Sequence, residues 1–165
     1  LLTHPDQLAS LMDGTVGWDR AFEEYVRWMA PIGMSPRRIA SSAEIGDVKI
    51  TPGGRAFFMF GAANRDPAHF TDPDSFDITR DTRKHIAFGA GPHFCAGAFA
   101  ARALVADVAL PMMFARLGGL RLDSERPAAF GGWAFRGPLT MYVRWDHDRA
   151  VNTADGAAHR KESAR

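Results

Sequence analysis

The sequence predicts a mainly α-helical chain with small β-sheets. Three observations predict it. Two N-terminal segments carry apolar residues at helical spacing, an alanine-rich stretch follows the only cysteine, and short Ile, Val and Phe runs are cut by Gly and Pro into strand-length pieces. Of the 165 residues, 46% are hydrophobic and 24% charged. Those values belong to a globular chain and exclude a collagen-like or wholly disordered one.

The elements follow in order. Pro5 to Met12 predicts a short helix with Leu8, Leu11 and Met12 on one face, punctuated by Gly14 and Gly17. Asp19 is the expected cap of a second helix through Met29, with Phe22, Tyr25, Val26 and Met29 at helical spacing. Pro31 stops it. From Arg37 to Phe60 the apolar residues Ile39, Ile45, Val48 and Ile50 are split by Gly46 and Pro52-Gly53-Gly54, so short strands are expected. Phe57 to Phe60 reads as a buried strand.

Residues 62–92 are rich in Pro, Gly and Asp. Long irregular segments of this kind are often functional. Phe70, Phe76, Ile78, Ile86 and Phe88 predict a loop packed through apolar anchors rather than a linker. An Ala-rich helix is expected from about Ala96 to Leu117, kinked or divided at Pro111. Leu120 and Leu122, then Leu139, Met141 and Val143, predict a two-stranded ribbon. Residues 1–146 are expected to be ordered. The polar, small residues of 147–165 predict a mostly disordered tail.

Net charge is +1, which favours no nucleic-acid or anionic-lipid partner. No apolar run approaches the ~18 residues of a membrane span, and no secretory leader is visible, so a cytoplasmic location without a membrane span is expected. Seventeen of the 20 basic residues are arginine, which suits bidentate carboxylate binding. Cys95 stands alone, so internal disulfides, Cys-rich zinc sites and a two-cysteine haem attachment are excluded.

The stretch Phe88-Gly89-Ala90-Gly91-Pro92-His93-Phe94-Cys95-Ala96-Gly97 carries the chemistry. A Gly-rich turn leads into a helix starting near Cys95. Gly89, Gly91 and Gly97 allow unusual backbone angles and close approach of a flat ligand. A helix N-terminus favours thiolate over thiol. Phe88 and Phe94 offer an apolar wall, and His93 a donor for an acidic group. A lone cysteine taken by itself is usually a small buried hydrophobe; the surrounding pattern instead suits a thiolate ligand to a metal in a planar cofactor.

This string resembles the cysteine-ligand loop of the cytochrome P-450 superfamily, the haem-thiolate monooxygenases, whose form is Phe-x-x-Gly-x-His/Arg-x-Cys-x-Gly. Phe88, Gly91, His93, Cys95 and Gly97 match it in type and spacing. Upstream, Glu24-Tyr25-Val26-Arg27 matches the family's Glu-x-x-Arg motif, which by itself would read as a surface pair worth a few tenths of a kcal/mol. The segments Ala62-Ala63-Asn64-Arg65-Asp66-Pro67 and Phe70 to Asp77 look like the approach to the meander of bacterial members.

The resemblance implies the C-terminal part of that fold: J-K helices, a small β region, meander, cysteine loop, L helix and terminal β ribbon. It implies Cys95 as the iron ligand of haem b. Arg38, His85 and His93 are implied contacts to haem propionates, with Phe88, Gly89 and Gly97 shaping the cofactor side of the loop. It further implies a buried structural trio of Glu24, Arg27 and Arg80. The expected activity is hydroxylation of a small organic substrate by activated oxygen, with a ferredoxin or flavodoxin-type electron donor. Ile39–Ser42 and Gly131–Arg136 are the expected pocket-lining segments.

Complete members of the superfamily are more than twice this length, so a fragment is expected. Met12-Asp13-Gly14-Thr15 lies too close to Glu24 to be the oxygen-handling helix, and no catalytic role is assigned to it. The L-helix position that often carries Glu is Leu104 here, and Pro111 is unusual in that helix. The alternative reading is a truncated, non-catalytic remnant that binds haem weakly or not at all. A cysteine-nucleophile hydrolase using Cys95 with His93 or His85 would leave Glu24, Arg27 and Arg80 unexplained.

Overall fold

The computed structural model describes residues 1–148. Helices α1 (Pro5–Met12) and α2 (Trp18–Met29) come first. Strands β1 (Ser35–Arg38), β2 (Ala43–Ile45), β3 (Val48–Ile50) and β4 (Arg55–Phe58) follow, then the single turn α3 (Phe60–Ala63). A long loop ends in a 3₁₀ turn at Gly91–His93 and leads into helix α4 (Ala98–Arg116). Six short strands close the described chain: β5 (Leu117–Gly118), β6 (Arg121–Leu122), β7 (Ala129–Gly131), β8 (Gly137–Thr140), β9 (Val143–Arg144) and β10 (His147–Asp148). They pair as antiparallel two-stranded sheets: β1 with β4, β2 with β3, β5 with β10, β6 with β9 and β7 with β8.

Helix α2 is the organising element. It buries Ala21, Phe22, Val26 and Met29 together with Glu24 and Arg27, so its inward face is apolar with one charged pair set into it. Phe22 and Val26 pack with Ala87 and Ala106, and Phe88, Ala101 and Val105 cover that cluster. Thus α2 sits between the loop and α4. A second cluster joins Leu11 of α1 and Ala21 of α2 to Ile78 of the loop.

The N-cap of α2 is Gly17, not Asp19. Asp19 lies one residue inside the helix, where its charge meets the positive end of the helix dipole instead of an orphan N–H. The helix stops at Ala30, whose φ of 45° lies in the left-handed region, directly before Pro31.

The loop is packed as its anchors predict. Phe70 and Ile78 are buried, and the fully buried Asn64 accepts the Ile86 N–H on its side-chain oxygen at 2.8 Å.

Several expectations are corrected. The Phe57–Phe60 run does not make a buried strand: Phe57 and Phe58 of β4 are 44% and 54% exposed. Among the described residues β4 pairs only with β1, and Phe57 meets the Trp133 ring, with the centroids 6.1 Å apart. Helix α4 changes register just before Pro111. The backbone takes a π-helical register over Ala103–Ala109, where the Leu110 N–H reaches back to Val105 O, and Pro111 then falls in the first turn of the resumed α-helix. A missing N–H costs nothing there.

The expected ribbon forms in part: Leu122 of β6 pairs with Val143 of β9, while Leu139 lies in β8, which pairs with β7 instead. His147 and Asp148 pair with β5, so regular structure passes residue 146. The rest of the expected disordered tail, residues 149–165, lies outside the described residues. Finally, α4 is long and apolar enough, by length and composition alone, to cross a membrane, and most of it is uncovered. Arg102 and Asp107 interrupt it, so it is not an unbroken apolar run.

Candidate functional site

The site begins with Glu24 and Arg27, three residues apart and therefore on one face of α2. Arg27 Nε and Nη2 donate to the two Glu24 oxygens at 2.6 and 2.8 Å. The other guanidinium hydrogens go to the carbonyls of Asn64 and Pro73, both at 2.9 Å, and Ser75 at 3.1 Å. All five N–H donors of a guanidinium are thereby used. Phe70 lies against the same group, 5.3 Å from its ring centroid.

Glu24 Oε1 also accepts the Asp77 N–H at 2.9 Å and Arg80 Nε at 3.3 Å. Arg80 in turn donates to the carbonyls of Thr71, Asp72 and Ser75. The three side chains that the sequence singles out as a trio thus converge, and together they hold the loop from Asn64 to Asp77 onto α2.

The loop then turns toward Cys95. Gly89 and Gly91 have φ of 72° and 62°, which an L side chain adopts only with strain. The turn brings the Cys95 N–H onto Phe88 O at 2.8 Å. Helix α4 starts only at Ala98, capped by Gly97, so Cys95 precedes the helix rather than opening it. The Ala98 N–H donates to Cys95 O at 3.2 Å. Cys95 is exposed and lines a cavity of about 640 Å³ with Phe88, Gly89, His93, Arg37 and Phe60. That volume lies within the ~300–1,000 Å³ usual for small-molecule and cofactor sites.

Two expected cofactor contacts stand elsewhere. Arg38 is exposed and lines a separate recess with Ile39, Ala40, Pro52 and Gly53. The alternation of β1 puts its neighbour Arg37 on the face that carries Ser35, and these two line the cavity. His85 is turned away as well. Its Nε2 lies 2.7 Å from Glu23 Oε2, and its Nδ1 accepts the Ala87 N–H at 3.2 Å. Both ring nitrogens are occupied, so none is left for a propionate. His93 and Phe88 do line the cavity, and Gly97 lies beside the sulfur, where an added Cβ would stand 3.9 Å from Sγ.

Sequence reasoning missed Glu23, Arg102 and Arg37. Arg102 donates to both oxygens of Glu23, and its guanidinium lies 4.6 Å from the Phe88 ring centroid. Burial raises the Glu23 pKa, but hydrogen bonds from His85 and Arg102 outweigh it and hold the carboxyl down at about 2. The only signal for Glu23 was its place one turn-step before Glu24, which also fits a surface acid.

The Cytochrome P-450 family model matches residues 18–114, which contain the α2 pair, the loop and the cysteine turn. The chain belongs to the cytochrome P-450 family. It is 46% identical over 125 residues to 6-deoxyerythronolide B hydroxylase of Saccharopolyspora erythraea, covering 76% of this chain and 31% of that enzyme. It is 37% identical over 150 residues to mycinamicin IV hydroxylase/epoxidase of Micromonospora griseorubida, covering 88% of this chain and 37% of that one.

Among solved cytochrome P-450 structures, P450BioI in complex with a hexadec-9Z-enoic acid-ligated acyl carrier protein matches with a TM-score of 0.81 and 35% identity, over 88% of this chain and 38% of that one. CYP109Q5 from Chondromyces apiculatus matches with a TM-score of 0.81 and 37% identity, over 91% of this chain and 39% of that one. The chain therefore has part of the cytochrome P-450 fold and spans about a third of the length of these relatives. The family is one of monooxygenases, and its cofactor is haem.

The residues present fit that cofactor. Haem is an apolar plate with two acidic edge groups and an iron atom. The cavity offers apolar walls from Phe60 and Phe88, cationic or donor groups from Arg37 and His93, and one soft sulfur at Cys95. No group of three or more His, Cys, Asp and Glu that could hold a metal ion occurs among the described residues, and Cys95 is the sulfur that lines the cavity.

Proposed function

We propose that this chain carries the haem-binding part of a haem-thiolate monooxygenase, with Cys95 as the thiolate ligand to the iron of haem b. The observation that supports it best is the placement of Cys95. Its sulfur faces a largely apolar cavity, while its N–H is bonded to Phe88 O, so the loop itself fixes where the sulfur stands. When bound, haem supplies activation of dioxygen for hydroxylation, and thiolate ligation donates electron density that favours O–O cleavage.

The chain's own residues do the rest. Phe88 and Phe60 exclude water from the cavity walls. His93 and Arg37, which line the cavity, would donate to the propionates, whereas Arg38 lines the separate recess. Glu24, Arg27 and Arg80 pin the loop that carries the ligand. In the whole protein a ferredoxin or flavodoxin-type donor in the cytoplasm supplies electrons, and the substrate is a small organic molecule.

A second reading is favoured by one observation: Cys95 and Phe94 are exposed, so residues 1–148 leave one side of the cavity open. A chain of this sequence alone would then hold haem weakly or not at all and would not turn over substrate. Titration of the 165-residue chain with ferric protoporphyrin IX separates the two. The first reading expects uptake and, after reduction under carbon monoxide, the red-shifted Soret band of thiolate ligation, lost in Cys95→Ala. A band that survives in Cys95→Ala rejects the ligand assignment. No uptake supports the second reading, as does absence of hydroxylation by the isolated chain.

A further inference from the structure

Glu23 takes no part in the Glu24–Arg27–Arg80 cluster, yet it is the better connected of the two acids to the cysteine turn. Three hydrogen bonds joined by a short piece of backbone run from it to Cys95. His85 Nε2 is 2.7 Å from Glu23 Oε2, the Ala87 N–H donates to His85 Nδ1 at 3.2 Å, and the carbonyl of the following residue, Phe88 O, accepts the Cys95 N–H at 2.8 Å. The tautomer follows from these partners. A nitrogen that accepts an N–H carries no hydrogen, so the imidazole proton is on Nε2 and is donated to the carboxylate. The His85 side chain is only 7% exposed, so water does not replace Glu23 easily.

Arg102 of α4 closes the arrangement. It donates to Glu23 and also lies over the Phe88 ring, so the same carboxylate ties α2, the turn and α4 together. A bland surface pair would touch one partner and would be worth little. Glu23 touches two, and both touch the residue whose carbonyl holds Cys95.

We propose that Glu23 is a positioning residue for the cysteine loop: it fixes His85 in the Nε2–H tautomer, leaving Nδ1 to hold the Ala87 N–H and so to set the Phe88 carbonyl against the Cys95 N–H. This deepens the haem-thiolate reading and rests on it only for the consequence at iron. Without Glu23 the imidazole can rotate or move its proton to Nδ1. The Ala87 N–H then loses its acceptor, and the turn loosens at the point that orients the sulfur. His85→Asn should behave differently, because its side-chain oxygen stands where Nδ1 stood and can still accept from Ala87.

Amide hydrogen exchange on the full 165-residue chain tests the network without haem. In Glu23→Ala, exchange at Ala87 and Cys95 should quicken by about tenfold, the loss expected for one hydrogen bond, while α2 amides on the Glu24–Arg27 side stay within about twofold. Glu23→Gln keeps an acceptor for Nε2–H and should restore slow exchange at Ala87, and His85→Asn should keep it. Uniform acceleration across the chain, no acceleration, or a Gln variant indistinguishable from Ala each overturns the proposal. The same variants mixed with ferric protoporphyrin IX, reduced under carbon monoxide, supply a second readout. Glu23→Ala should show a smaller thiolate-type share of the Soret absorbance than the parent chain, with Glu23→Gln between them. An unchanged share in a parent that shows the band overturns the proposal. If Cys95→Ala keeps the band, or the parent takes up no haem, the haem-thiolate reading fails on its own and the exchange result alone decides the role of Glu23.

Discussion

Arg27 meets Glu24 fork to fork, with contacts of 2.6 and 2.8 Å, and both side chains are fully buried. The pair is compensated from outside as well as within. Backbone groups of Asn64, Pro73, Ser75 and Asp77 complete the hydrogen bonding that water would otherwise provide. A buried ion pair is an acceptable arrangement only when its remaining donors and acceptors are met in this way.

Removing one partner should therefore unfold the loop before anything else. Arg27→Met is expected to cost about 3–5 kcal/mol, because it strands a buried carboxylate. Arg27→Lys should recover only part, since an ammonium cannot serve both carboxylate oxygens and three separate carbonyls in a planar fork. Urea denaturation followed by tryptophan fluorescence measures both. An Arg27→Met chain within about 1 kcal/mol of the parent would remove the pair from its anchoring role.

The acid limb of stability should report Glu23. Burial opposes its ionisation, but His85 and Arg102 bring its pKa from 4.5 down to about 2. The folded value lies below the unfolded one, so the unfolded chain binds more protons in that interval. The carboxylate's contribution is present above about pH 4.5 and is lost as pH falls toward about 2. Glu23→Gln should thus be less stable than the parent at pH 6, with the gap closing between those two pH values. A gap that stays constant through that window would mean the carboxylate is not held by His85 and Arg102.

How far the sequence carried the fold depends on the range of each interaction. Glu24 and Arg27 are legible because both lie on one helix and the helical period places them together. The anchors Phe70 and Ile78 are legible because apolar side chains in a polar loop need somewhere to be buried. The Glu23–His85 and Glu23–Arg102 contacts join residues 62 and 79 positions apart, and nothing local marks them. The sequence therefore suggests His85 as a cofactor contact, while the structure sets its ring nitrogens against Glu23 and the Ala87 N–H. The pattern of β1 is equally ambiguous: adjacent arginines alternate between faces, and only the packing of the strand decides that the face of Ser35 and Arg37 lines the cavity. The apolar run at Phe57 does not reveal how much of it stays exposed, and an alanine-rich segment looks the same in α and π registers.

Helix α4 bears a second consequence of that open packing. Phe99 and Leu104 are 76% and 65% exposed, and Val108 and Met112 continue the same uncovered stripe. Contiguous apolar surface of this kind drives association. The purified 165-residue chain should sediment as concentration-dependent oligomers, and Phe99→Gln combined with Leu104→Gln should shift it toward monomer without lowering its helix content. A parent chain that is monomeric at all concentrations would show that this face is covered in solution.

Asn64 gives the sharpest test of how the loop is held. It is fully buried at the end of α3, and its side-chain oxygen accepts the Ile86 N–H at 2.8 Å, while its Nδ2 finds no partner among the described residues. Its own carbonyl is one of the oxygens bonded by Arg27. One residue therefore links the two, Arg27 of α2 through its carbonyl and the segment that enters the cysteine turn through its side chain. Asn64→Leu fills similar space and keeps the backbone carbonyl, but it leaves the buried Ile86 N–H without an acceptor, at a cost of about 1–3 kcal/mol. Losing Nδ2 removes an already unpartnered donor and should offset a little of that. Exchange at the Ile86 amide should rise by more than at Asp77, whose N–H is held by Glu24. Equal rises at both amides would show the loop opening as one unit, with Asn64 no more than a filler of space.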